Sequence, residues 1–520
     1  MKKMKFFVTA LVFALAVTAW GKFSEKEKKA ERPNILFLVV DDLKPVLGVY
    51  GNTEVKTPEI DKLAARGVVF DNSYCQQAVC APSRISVFTG MRPDRTKVRD
   101  LHTDMRKMNP DIVTLPQFFK RKGYETVGLG KLMHGARGND PRSWTIPYVA
   151  DEKLTYADGF SYPVLGRYQA NDIKTVYEDI KTQKLKRKQL MASLRKRGAL
   201  PSTECLDLPD DAYSDGAIAE KGIRMLEKLK NNDKPFFLAL GFHKPHLPFV
   251  APKKYWDMYD EEEIDVNPFQ LHAENSPNYA YTNWGELRNY SDIPRKGPLD
   301  PAKQKQLIHG YRASVSYVDA QIGKVIAKLD ELGLDENTII VLWGDHGWHL
   351  GDHGLWCKHT NFEQATKAPL FFVAPGMAKG KHALTMAEFV DIFPTLVDYA
   401  GFKVPDYLEG ESLLPVLKDP KVEIKGYALS QFFRGTDIMG YTMRTYRYRI
   451  TLWLKGDFNK KDLFRDPVID AVELYDYKTD PQERVSLAGD PQYAQVVEEL
   501  KTKLLKMLNS EADKAEKAGF

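Results

Sequence analysis

The segment Asn34–Val40 is apolar at six consecutive positions, from Ile35 to Val40, and stops at two aspartates, Asp41 and Asp42. A strand that alternates in polarity covers one face of a sheet. A strand with no polar member must be covered on both faces, the habit of a parallel sheet between two helical layers. Phe236-Phe237-Leu238-Ala239-Leu240 and Ile339-Ile340-Val341-Leu342-Trp343 repeat the pattern. Residues 68–70 and 125–130 read as further strands. Helical stretches at 57–64 (opened by Thr57 and Pro58), 115–120, 212–229, 314–332 and 388–399 separate them. The fold class is therefore α/β, a large mostly parallel sheet flanked by helices. From residue 423 the pattern changes to short alternating strands (441–445, 446–453, 473–476) and a helix at 492–508. A main domain over 32–422 and a smaller antiparallel sheet-plus-helix subdomain over 423–520 are expected. There is no internal repeat.

Parallel strands end on one edge, which is where open α/β sheets bind their ligands. Asp41 and Asp42 end the first run, Lys131 and His134 follow 125–130, His243 follows 235–240 with His246 behind it in support, and Asp345 and His346 follow 338–343. Cys80 opens a short helix with Pro82, Ser83 and Arg84, where unpaired N–H groups favour anions and Arg84 can turn a guanidinium toward the same anion. Adjacent carboxylates repel unless a cation neutralises them. Asp41, Asp42 and Asp345 with His346, next to Cys80, make a donor set for one hard dication, calcium. Arg84, Lys131 and Lys358 offset the remaining charge.

Cys80-Ala81-Pro82-Ser83-Arg84 followed by Thr89-Gly90 resembles the signature of the type I, formylglycine-dependent sulfatases. Gly130-Lys131 with His134, His243-Lys244-Pro245-His246 and residues 337–373 are similar to the same family, and closest to its iduronate 2-sulfatase-like members. The two residues between Lys131 and His134, and His346 where many members have asparagine, fit that branch. The resemblance implies an alkaline-phosphatase-like fold and a sulfuric ester hydrolase. It implies that Cys80 is converted to 3-oxoalanine (formylglycine) by a formylglycine-generating or anaerobic sulfatase-maturating enzyme, and that the hydrate attacks sulfur. It implies Ca2+ on Asp41, Asp42, Asp345, His346 and the residue made from Cys80. Lys131, His243 and Lys358 would bind substrate, His243 with Lys358 would protonate the leaving alcohol, and His134 would help remove the proton of the second hydroxyl. The implied substrate is a sulfated oligo- or polysaccharide, either a 2-O-sulfated uronate of a glycosaminoglycan or an algal polysaccharide. A phosphodiester or phosphonate monoester hydrolase of the same superfamily and an inactive sulfated-glycan binder stand as alternatives.

Residues 1–19 combine a basic start, an apolar stretch and Val17-Thr18-Ala19, the pattern of a signal peptide, and 20–31 form a charged leader. A periplasmic or secreted protein with no stable membrane span after cleavage is expected. A net charge of +5 over 520 residues does not call for nucleic acid. The four cysteines form neither a disulfide framework nor a metal-spaced motif. Residues 140–210 read as an insertion. Within it a helix over 179–197 carries Lys181, Lys184, Lys186, Arg187, Lys188, Arg195, Lys196 and Arg197, either a surface for a polyanion or a solvated face.

Overall fold

The computed structural model describes residues 32–134 and 139–517; the expected signal peptide and leader lie outside the described residues. Strand β1 (Asn34–Val40) is followed by α1 (Pro58–Ala64), β2 (Val68–Tyr74), α2 (Cys80–Thr89), α3 (Leu115–Arg121) and β3 (Glu125–Gly130). Then come α4 (Asn171–Lys181), α5 (Arg187–Lys196), α6 (Ser214–Lys230), β4 (Phe236–Phe242), the long α7 (Pro301–Glu331) and β5 (Thr338–Gly344). Strands β6 (Leu370–Val373) and β7 (Lys381–Glu388) and helix α8 (Ile392–Tyr399) complete this part. The seven strands form one sheet in the order β7-β2-β6-β5-β1-β4-β3, in which only β6 runs antiparallel to its neighbours.

The alternation of β1 explains the layers. Leu36, Leu38 and Val40 pack into the core that holds Val318, Ile322 and Val325 of α7 and Ala217 and Ile218 of α6. Ile35, Phe37 and Val39 pack on the opposite face with Phe88 of α2, Phe119 of α3 and Phe393 of α8. Each such side chain contributes roughly 1.5–3 kcal/mol by leaving water, so β1 is fixed from both sides. Beyond this sheet, β8 (Tyr427–Arg434), β9 (Ile438–Thr445), β10 (Tyr448–Lys455) and β11 (Ile469–Asp476) form an antiparallel sheet in sequence order. Helix α9 (Ala494–Lys517) lays Leu504 and Leu508 against the core of β9 and β10.

Three expected elements differ. The single basic helix at 179–197 is two helices, α4 and α5, with Lys184 in the left-handed region (φ 49°) between them. Like charges at Lys181, Lys184 and Lys186 disfavour a continuous turn, while Ile173, Ile180 and Leu194 are buried in a shared core. The helix expected from 388 begins at Ile392, because residues 381–388 form the edge strand β7. The helix expected from 314 begins at Pro301, capped by Asp300, whose carboxylate accepts from the Lys303 N–H at 2.8 Å.

Candidate active site

The register brings the polar strand ends to one level. Val40 pairs with Phe242 and with Gly344, and Gly130 pairs with Gly241. Asp41, Lys131, His243 and Asp345 therefore leave the sheet side by side. The Asp41 N–H still donates to Phe242 O (3.2 Å), that of Asp345 to Val40 O (3.2 Å) and that of Lys131 to Gly241 O (2.8 Å). Glycine is required at 241, where a Cβ would lie 2.0 Å from the Lys131 carbonyl oxygen. Asp42 turns back through the left-handed region (φ 60°), and its N–H donates to Asp345 Oδ1 at 2.9 Å.

Cys80 is the first residue of α2, after Val79 in extended conformation. Arg84, one turn on, is fully buried. Its Nε donates to Asp345 Oδ2 (2.8 Å), Nη2 to Asp41 Oδ1 (2.9 Å), and Nη1 to the carbonyls of Lys131 and Leu132. The guanidinium is thus committed to the protein's own carboxylates and does not reach toward a bound anion. Lys131 pairs with Asp41 Oδ2, and its ammonium stands 3.7 Å from Cys80 Sγ. Burial pushes the Asp41 carboxyl up, but Lys131 and Arg84 outweigh it and hold it well below the usual range.

Lys358 donates to both oxygens of Asp42 (2.9 and 3.0 Å) and lies 3.0 Å from Glu286 Oε2. Asp42 is nevertheless pushed well above its usual range, by burial first and by the nearby Asp41, Glu286 and Asp345 against the pull of Lys358. Negative charge is in local excess. His346 Nδ1 lies 3.0 Å from Gly347 O, which can only accept, so the ring proton is assigned to Nδ1. Burial lowers the His346 pKa further than Asp345 raises it, so the ring stays neutral. Its Nε2 lone pair then faces Cys80 Sγ (3.4 Å), Asp42 Oδ1 (3.3 Å) and Asp345 Oδ2 (3.6 Å). A lone pair aimed at two carboxylates is repulsive without a cation between them. Ligand atoms of Asp41, Asp42, Cys80 and His246 lie within 4.8 Å of one another, as do those of Cys80, Asp345 and His346. The donor set fits a hard dication.

The thiol itself is badly placed for nucleophilic work. Burial, with Asp41, raises the Cys80 pKa well above that of an ordinary cysteine despite Lys131 and Lys358, and the thiolate is the reactive form. All four cysteines are free, Cys75 and Cys80 included.

A model of the sulfatase family matches residues 33–402, and a model of the C-terminal part of N-sulphoglucosamine sulphohydrolase matches 351–510. The chain belongs to the sulfatase family. It is 34% identical to human iduronate 2-sulfatase over 93% of this chain and 96% of that one. Two solved structures share the fold. A protein in complex with its substrate D-glucosamine-2-N,6-O-disulfate superposes with a TM-score of 0.68, 21% identity, and coverage of 94% of this chain and 99% of that one. The phosphonate monoester hydrolase of Agrobacterium radiobacter superposes with a TM-score of 0.68, 22% identity, and coverage of 92% and 96%.

In this sulfatase the two histidines of the 243–246 loop stand differently from the sequence expectation. His246, expected behind His243, approaches the carboxylates: Nε2 lies 3.0 Å from Glu286 Oε1 and 4.0 Å from Asp42 Oδ2. His243 stands on the wall of an adjoining cavity of about 410 Å³ with Lys131 and His134. Its Nε2 is 2.7 Å from Asp151 Oδ2, an ion-pair distance without hydrogen-bond alignment. Burial lowers the His243 pKa, but Asp151 and Asp215 outweigh it and leave it raised. Asp215 fixes the loop by accepting the N–H groups of His243 and Lys244, both at 2.7 Å. His134, also on this wall, is pushed down to about 3 by burial and by Lys131, and its buried Nδ1 has no partner among the described residues. Asp151, Asp215 and Glu286 escaped the sequence analysis. Asp151 and Glu286 lie in stretches with neither periodicity nor motif, and Asp215 lies inside a helix that reads as ordinary packing. Among the described residues no helix is long and apolar enough to cross a membrane.

Proposed function

We propose that this sulfatase removes sulfate from a sulfated carbohydrate through a formylglycine made from Cys80, with 2-O-sulfated uronate as the leading substrate class. The observation that carries the proposal is that two groups of ligand atoms, Asp41, Asp42 and His246 on one side and Asp345 and His346 on the other, meet at Cys80 Sγ, with the Lys131 ammonium 3.7 Å from the same atom. Formylglycine, when present, would supply as its hydrate a nucleophilic oxygen and a second hydroxyl whose deprotonation can expel sulfate from the first oxygen and restore the aldehyde. Calcium, when bound, is held by Asp41, Asp42, Asp345 and His346 and supplies positive charge for the sulfate oxygens and the attacking group.

The chain's own residues do the remainder. Lys131 offsets charge on a sulfate oxygen at the mouth of the cavity. Arg84 bridges Asp41 and Asp345 and offsets their charge, and Lys358 pairs with both oxygens of Asp42. Imidazolium at His243, maintained by Asp151, delivers a proton to the departing alkoxide. His134, neutral because burial and Lys131 lower its pKa, helps to take up the proton of the second hydroxyl. The similarity to iduronate 2-sulfatase over nearly the whole chain supports the uronate class. Export to the periplasm or beyond, and a formylglycine-generating or anaerobic sulfatase-maturating partner, belong to the same proposal.

Defined sulfated oligosaccharides and a phosphate diester, assayed in parallel, test the proposal. Desulfation of the 2-O-sulfated uronate at the highest kcat/KM is expected. Preference for the phosphate diester would favour a phosphohydrolase instead, and cleavage of neither would favour a binder.

Two further outcomes follow from the geometry. A proton-donating His243 loses activity as pH rises through its raised pKa. Asp151→Asn removes the carboxylate that raises it, so the alkaline limb of kcat/KM should move to lower pH. An unmoved limb would remove His243 from the acid role. Chelation should lower the melting temperature of the protein, calcium should restore it, and Asp345→Asn should blunt the restoration. A melting temperature indifferent to chelator and calcium would contradict the metal assignment.

A further inference from the structure

The cavity beside Cys80 is lined by more cationic than carboxylate side chains. Lys131, Arg167, Arg187 and Lys244 line it against Asp151 and Glu152. Arg167 also lines a second cavity of about 390 Å³, together with Lys188, Arg195 and Arg295 against Glu286 alone. Arg187, Lys188 and Arg195 come from α5, so part of the basic stretch seen in the sequence faces these cavities.

Arg167 is the residue common to both, and it is held in place. Residues 164–168 form a tight turn in which Val164 N–H donates to Tyr168 O (2.9 Å) and Tyr168 N–H to Val164 O (3.1 Å), with Leu165 and Gly166 at positive φ. Tyr168 is anchored in turn by its hydroxyl, which donates to Pro201 O at 2.7 Å. The guanidinium is half-buried and donates from Nη1 to the Tyr290 hydroxyl at 3.3 Å. No carboxylate among the described residues forms an ion pair with it, whereas Arg84, Arg92 and Arg449 each meet two. A half-buried guanidinium without an ion-pair partner gains from a ligand that provides one, and its planar fork suits a carboxylate or a sulfate.

Resting on the carbohydrate sulfatase reading above, we propose that Arg167 is a specificity-determining residue that binds a second anionic group of the substrate, a carboxylate or a further sulfate, beside the ester being cleaved. The enzyme would then select polyanionic sugars over simple sulfate esters.

The test compares p-nitrophenyl sulfate, which has no second anion, with a 2-O-sulfated uronate disaccharide, its carboxyl-reduced form and its N-sulfated form. Arg167→Gln should lower kcat/KM for the uronate disaccharide about 10- to 100-fold, chiefly through KM, the range expected for a charged hydrogen bond. Turnover of p-nitrophenyl sulfate should stay within about twofold, and Arg167→Lys should recover part of the loss. The wild type should lose a similar factor on the form that lacks the recognised group, which tells carboxylate from sulfate. Equal losses on p-nitrophenyl sulfate and on the disaccharide, or no loss on either, would overturn the proposal. A wild type that cleaves p-nitrophenyl sulfate but none of the disaccharides would instead defeat the carbohydrate reading. Calorimetric binding of the N-sulfated disaccharide to Cys80→Ala, with and without Arg167→Gln, then decides the subsite: weaker binding with Arg167→Gln supports it and equal binding overturns it.

Discussion

Cys80→Ala should abolish turnover, lowering kcat by on the order of 10⁴-fold or more, while the protein stays folded. Cys80 Sγ is the atom toward which Lys131, His346 and the aspartates converge. Truncation removes one sulfur from a well-packed helix start, a change of roughly 1–2 kcal/mol, so circular dichroism and melting should stay close to the wild type. Cys80→Ser separates the two roles of the modified residue. A serine hydroxyl can attack sulfur but leaves no second hydroxyl for expelling sulfate, so this variant should retain a covalent sulfate detectable by mass spectrometry. Multiple turnover by Cys80→Ser would sink the mechanism.

Arg84→Met is expected to carry the largest stability cost, about 3–5 kcal/mol at neutral pH. The wild-type guanidinium is fully buried and satisfies Asp41, Asp345 and two carbonyls at once. Methionine fills much of the volume but leaves both carboxylates without that partner. The pH dependence gives the sign. Asp41 in the wild type is held below its ordinary range, so its contribution to stability is present above the unfolded carboxylate pKa and is lost as pH falls through the lower folded value. Without Arg84 the buried Asp41 carboxylate loses one of the two cations that hold its pKa down, so burial favours its protonated form and the variant is penalised more as pH rises. Denaturant titrations at pH 7 and pH 5 should therefore show the deficit shrinking at the lower pH. A constant deficit would mean that Arg84 acts through packing and not through charge.

Much of this was legible in the sequence for a physical reason. Strands β1, β4 and β5 are buried on both faces, so their central side chains must be apolar and the first polar residue after each run marks the end of the strand at one edge of the sheet. That rule located Asp41, Asp42, His243, Asp345 and His346 without reference to contacts. It failed at β7, an edge strand whose Lys381, His382 and Leu384 are exposed, and which therefore lacks the apolar signature. It also failed at Asp151 and Glu286. Their place beside His243, His246 and Lys358 depends on loops returning to the sheet edge from far along the chain, and nothing local encodes that return. For Arg84 the residue was visible but its partners were not: the sequence suggested a bound anion, and the fold assigns it two internal carboxylates.

Catalysis is expected to belong to the aldehyde made from Cys80 and not to its thiol. Preparations of the enzyme with graded conversion, quantified by mass spectrometry of the peptide ending at Arg84, test it directly against release of sulfate from a 2-O-sulfated uronate disaccharide. Sulfate release proportional to the aldehyde fraction, extrapolating to zero for the unmodified thiol, is the expected result. A thiol-only preparation that turns over as fast as the converted enzyme would contradict the account.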